Sequence, residues 1–149
     1  MLDWRRTPGT TSLLDMFHQG VARHPDRAFT IFQGETLTWG DAAWAVAGVA
    51  EGMRADSDIA LVIPNSPAFL IAFLGALQAG ARPALINAGL PLPLIQKILN
   101  DVAPAAIFTG GQAELGRDEI DLSTLPSAAP RPARSVAPDA TAACVFTGG

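Results

Sequence analysis

Ile59-Ala60-Leu61-Val62-Ile63, followed by Pro64-Asn65-Ser66-Pro67, is the stretch on which the fold turns. Five apolar residues in a row leave no polar face, so both sides of the segment must be buried. That is the pattern of a strand inside a parallel sheet. Asn65 reads as a turn or helix-start residue. Ser66 then offers a helix N-cap, with Pro67 at the first helical position, where a missing N–H costs nothing. The helix is predicted to run to about residue 79, and Gly80 is placed to end it. No charged residue occurs between Asp58 and Arg82. A gap of that length raises the question of a membrane span, which needs about 20 apolar residues. The Pro64–Pro67 interruption leaves only 68–81, too short to cross a bilayer, so a buried core helix containing Phe73 is expected.

The same alternation continues outward. Downstream, 83–86 reads as a short strand, 91–102 as a helix, and 105–108 as a strand ended by Gly110-Gly111. Upstream, Ser12 and Asp15 form a capping box ahead of an apolar face of Leu13, Leu14, Phe17 and Val21. Pro25 stops that helix by His24. Residues 28–32 and 36–38 form a hairpin about Gln33-Gly34-Glu35. Thr38 caps an alanine-rich helix over 39–54, and Trp39 and Trp44 are expected to pack there. Asp56 and Asp58 flank Ser57 in a solvated turn. Strand alternating with helix predicts an α/β fold, a parallel-rich sheet with flanking helices, preceded by a helix and a β-hairpin. Residues 121–140 carry prolines and alanines without a period and read as a variable connection. Residues 142–146 read as a last apolar strand in which Cys144 is a buried, inert thiol. It runs into Thr147-Gly148-Gly149.

Bulk composition excludes several classes. The chain is 49% hydrophobic and 16% charged, too apolar for general disorder. A net charge of −4 gives no basic face for nucleic acid. One cysteine forbids an internal disulfide. Met1-Leu2-Asp3-Trp4-Arg5-Arg6 lacks the apolar stretch of a signal peptide, and none is expected. His18 and His24 lack acidic or cysteine partners at metal-binding spacing, so no metal ligand is assigned. No complete GxGxxG follows a strand.

Four stretches, in order, carry a resemblance to a family. They are His24-Pro25-Asp26-Arg27-Ala28; Leu37-Thr38-Trp39-Gly40-Asp41-Ala42; Ile63-Pro64-Asn65-Ser66-Pro67 with Phe73-Leu74-Gly75-Ala76-Leu77-Gln78-Ala79-Gly80-Ala81; and Ala143-Cys144-Val145-Phe146-Thr147-Gly148-Gly149. Together they resemble the opening of the adenylate-forming (AMP-binding) superfamily, of the acyl-CoA synthetase kind. Trp39 stands where that family usually has Tyr, and Gly148 where Ser is commoner.

The resemblance implies that 1–149 is the N-terminal part of an AMP-binding domain, ending inside its phosphate-binding loop. Thr147, Gly148 and Gly149 would be nucleotide-binding. A side-chain-free turn after a strand lets backbone N–H groups converge on phosphate oxygens. Taken alone, those three residues also suit an ordinary strand-end turn. No catalytic or metal residue is expected within the chain. The intact enzyme is expected to be an ATP-dependent, AMP-forming acid–CoA ligase. It would use ATP, Mg²⁺ and coenzyme A on a fatty or other carboxylic acid, and it would be cytoplasmic or peripheral to a membrane. The remainder of its own enzyme would be the partner of this part. Pro83-Ala84-Leu85-Ile86-Asn87-Ala88-Gly89-Leu90 resembles a stretch of fatty-acid transport protein-like synthetases. A non-catalytic α/β remnant or binding module, and a different nucleotide-binding α/β enzyme, are the alternatives.

Overall fold

The computed structural model describes residues 12–111, 114–130 and 143–145. Ile59 to Val62 are all buried within β3 (Asp58–Val62). It lies at the centre of a five-stranded parallel sheet. The other strands are β4 (Arg82–Ile86), β5 (Ala106–Thr109), β6 (Ile120–Asp121) and β7 (Cys144–Val145), in the order β6-β5-β3-β4-β7. Ile59 and Leu61 point to one face and Ala60 and Val62 to the other, and each pair joins a different core. This two-sided burial is why the run has no polar alternation.

The larger core is built from α1 (Leu13–Arg23), α2 (Trp39–Glu51) and α3 (Pro67–Ala79), and the smaller from α4 (Leu92–Val102). β1 (Ala28–Phe32) and β2 (Glu35–Thr38) form the expected separate antiparallel hairpin. Phe17, Phe29 and Trp39 join hairpin to helices, with ring centroids 4.7 to 5.8 Å apart.

The caps fall where the sequence puts them. Ser12 and Asp15 close a reciprocal capping box, and the Ser12 backbone N–H and hydroxyl hold the Asp15 carboxyl below its usual range. Thr38 Oγ1 accepts from Asp41 N–H, and Ser66 Oγ from Phe69 N–H. Each such cap is worth about 1 kcal/mol. Gly80 ends α3 at φ 75°, a left-handed geometry that a β-carbon would strain.

α3 is a buried core helix, as its length implied, and no helix among the described residues is long and apolar enough to cross a membrane. Phe73 itself sits at the rim, half-buried and stacked parallel to Phe69, whereas Leu74 is buried.

Other expectations are corrected. α2 stops at Glu51, not 54, because Gly52 takes up the C-cap. Trp44 is half exposed, since α2 turns residues 42, 43, 46 and 47 inward and leaves position 44 outside. Asp58 opens β3 rather than sitting in the turn, and its carboxylate accepts from Arg82 Nε at 2.8 Å across to β4. That hydrogen bond holds the Asp58 carboxyl below the usual carboxylate range. Residues 120–124 contain β6 and a 3₁₀ turn, an ordered start to what read as an aperiodic connection.

Candidate functional site

Because the strands are parallel, their C-terminal ends share one edge of the sheet. β3 runs out into Ile63-Pro64, β4 into Asn87, and β5 into Gly110. α3 leaves β3 towards one face and α4 leaves β4 towards the other, as their separate cores require. Adjacent strands with departing connections on opposite faces open a crevice between them, and ligands of open α/β sheets bind there. In this chain that edge is formed by the ends of β3, β4 and β5.

The loops at that edge are held locally. Ser66 Oγ donates to the Pro64 carbonyl at 3.0 Å while capping α3. Asn65 is exposed in the turn, as a helix-start residue should be. Asn87 Oδ1 accepts from Gly89 N–H at 2.8 Å, an Asx turn that bends the chain after β4. Gly110 lies close against Ile63, with room for a β-carbon only 3.2 Å from Ile63 Cγ2.

β7 pairs with β4 in parallel, Cys144 opposite Ala84 and Val145 opposite Leu85. Its C-terminal end therefore meets the same edge, beside β4. Thr147, Gly148 and Gly149 follow two residues after β7 and lie outside the described residues, as do positions 142 and 146 of the expected strand. Cys144 is exposed, not buried. Among the described residues β7 has a strand neighbour only on its β4 side. His18 lies against Phe17 in an edge contact, and no group of three His, Cys, Asp or Glu among the described residues is placed to hold a metal ion.

Two clefts open beside β5 and β6, and sequence reasoning found neither. One, of about 220 Å³, lies between α2, the start of α3 and residues 121–127. The other is wider and polar, lined by Glu114, Arg117, Asp118, Glu119 and Asp121. The acidic spacing of 114–121 was the available signal; the apolar cleft had none, because its walls come from distant segments.

Comparison with known proteins places this arrangement. Long-chain fatty acid transport protein 6 of Mus musculus is 27% identical over 121 residues, 77% of this chain and 19% of that protein. The 4-hydroxyphenylalkanoate adenylyltransferase of Mycobacterium marinum is 34% identical over 119 residues, 66% of this chain and 18% of that protein. The chain thus spans about a fifth of the length of these relatives. In fold it matches O-succinylbenzoate coenzyme A synthetase of Bacillus subtilis in complex with AMP. The TM-score is 0.75 at 21% identity, over 89% of this chain and 38% of that one. The family described as AMP-binding enzyme matches residues 17–149, nearly the whole chain. The four ordered motifs, the parallel sheet and this match agree, and the chain belongs to the AMP-binding, adenylate-forming enzyme family.

Proposed function

We propose that the protein carrying this chain is an ATP-dependent, AMP-forming acid–CoA ligase, acting on a fatty or other carboxylic acid. The observation that carries this reading is the family match over 17–149, on a chain whose β7 ends at the ligand-binding edge of a parallel sheet. In the reaction the acid's carboxylate attacks the α-phosphate of ATP. Acyl-AMP and pyrophosphate form, and the CoA thiol then takes the acyl group and releases AMP.

The sheet edge suits ATP. Backbone N–H groups of Gly148 and Gly149 and the Thr147 hydroxyl would donate to phosphate oxygens as charge builds on the departing pyrophosphate. Glycine allows the backbone to approach that closely. For Mg²⁺ the described residues offer no fitting cluster, so its ligands are assigned to other parts of the protein and no step is routed through it here. The fatty-acid preference draws support from the 83–90 stretch and from the fatty acid transport protein relative. The adenylyltransferase relative is named for adenylyl transfer and not for CoA, which supports a second reading, in which an acceptor other than CoA takes the acyl group.

The test is exchange of labelled pyrophosphate into ATP by the full-length gene product, over short, medium and long fatty acids and aromatic acids. Acid-dependent exchange is expected, and Gly148→Val should lower it at least ~100-fold, the scale of losing a positioned anion donor. Exchange with no dependence on any acid, or full activity in Gly148→Val, would count against the reading. Adding CoA to the acyl-AMP and measuring AMP release separates the two acceptors.

A further inference from the structure

The cleft beneath residues 121–127 is a defined feature rather than loose packing. Further along the same helix pair α2 and α3 are pressed together so tightly that a β-carbon at Gly75 would sit 2.7 Å from Val49 Cγ1. Yet near the C-terminal edge the two helices present Ala45 and Ala68, and the short side chains leave about 220 Å³ open. Val49, Ile71, Leu122 and Leu125 complete an apolar lining. Native interiors leave few voids larger than water, and apolar cavities of about 150 Å³ elsewhere take up benzene.

One charge stands at this cleft. The half-buried Asp121 carboxylate accepts from Ser123 N–H at 2.9 Å, and neither ion pair found among the described residues includes it. Asp121 also lines the neighbouring polar cleft, with Glu114, Asp118 and Glu119. The cation there, Arg117, is bonded to Asn100. A largely apolar cleft with one charged group, Asp121, and the hydroxyls of Ser123 and Ser127 in its lining, beside a surplus of carboxylates, has the make-up of a site for a small organic cation.

We propose that this cleft binds a small primary amine with a compact apolar body, the body between Ala45 and Ala68 and the ammonium on Asp121. The site lies on the β5–β6 side of the sheet, away from β7, and is independent of the ligase reading. Benzylamine is the probe, with benzyl alcohol as its uncharged counterpart. Both are titrated against the full-length protein by saturation-transfer NMR. Benzylamine should bind at least tenfold more tightly than benzyl alcohol. Asp121→Asn, which keeps an acceptor for Ser123 N–H, should abolish that difference and leave benzyl alcohol unchanged. Ala68→Leu should weaken both at least tenfold by filling the cleft. Ala45→Leu, on the facing wall, should do the same if Ala68→Leu does not fold. Equal affinity for the two probes, no binding of either, or benzylamine binding that survives the filling variants overturns the proposal.

Discussion

Leu61→Asp should leave the chain largely unfolded at 25 °C. Leu61 is fully buried in the central strand, hydrogen-bonded between β4 and β5, and its side chain lies in the larger core. An aspartate there loses the leucine's burial, worth about 2 kcal/mol, and must either hold an unpaired charge or stay protonated. The sum is expected near ~5 kcal/mol, comparable with the whole stability of an ordinary domain. Ile31→Asp provides the contrast. Ile31 is 72% exposed on the hairpin, so its replacement should cost within about 0.5 kcal/mol. Thermal melts followed by circular dichroism compare the two. A cooperative melt of Leu61→Asp within a few degrees of the parent would show that β3 is not the buried centre.

Gly48→Val should be the next most damaging change, at about 3 kcal/mol, although it adds only a small apolar side chain to a helix. Residues 125–128 run antiparallel along one stripe of α2. Leu125 meets Gly52, the Pro126 carbonyl meets Gly48, and Ala128 N–H donates to the Trp44 carbonyl at 3.2 Å. A β-carbon at Gly48 would lie 1.9 Å from the Pro126 oxygen and 2.8 Å from Ser127 Cα. These are backbone atoms, which cannot swing aside, so the segment must leave the helix and uncover Leu122 and Leu125. At Gly52 a β-carbon would meet the flexible end of the Leu125 side chain at 3.2 Å, and the Val49 carbonyl oxygen at an ordinary contact distance of 3.4 Å. Gly52→Ala should therefore be neutral, or stabilising by up to about 1 kcal/mol through the unfolded chain. Urea melts of both variants decide the matter. Equal midpoints would mean that Gly48 does not govern the docking.

Much of the fold was readable because its signals are local. Ile59–Ile63 declares a doubly buried strand by lacking polar residues, and Ser66, Pro67 and Gly80 mark both ends of α3 within a few residues of where they act. What depends on distant partners was not readable. β6 is two residues long and exists through pairing with Phe108 and Thr109, which no local pattern announces. Trp44 and Cys144 were misjudged for one reason: side-chain type suggests burial, but only the packing of other elements decides it. The strand that leads to Thr147-Gly148-Gly149 was legible from its apolar run and from motif order. The cleft at Ala45 and Ala68 was not, since alanine in a helix carries no sign of the space beside it.

The sheet order also imposes a timetable on synthesis. β3 pairs with β4 and β5 across short stretches of chain, Asp58 with Arg82 and Ile59 with Ala106. β7 must reach back 60 residues, from Cys144 to Ala84, against 47 for β5 and 24 for β4. Long-range pairings form late because more chain must be ordered first. While the chain is growing, the three central strands can assemble before Cys144 has been added. β4 then waits with one side of its backbone open, and an unpaired strand edge is where a nascent chain captures a neighbour by mistake. Pulse-labelled hydrogen exchange during refolding would reveal this order, with amides of Ile59–Val62 protected before those of Cys144 and Val145. Simultaneous protection would mean that the outer strand is part of the nucleus.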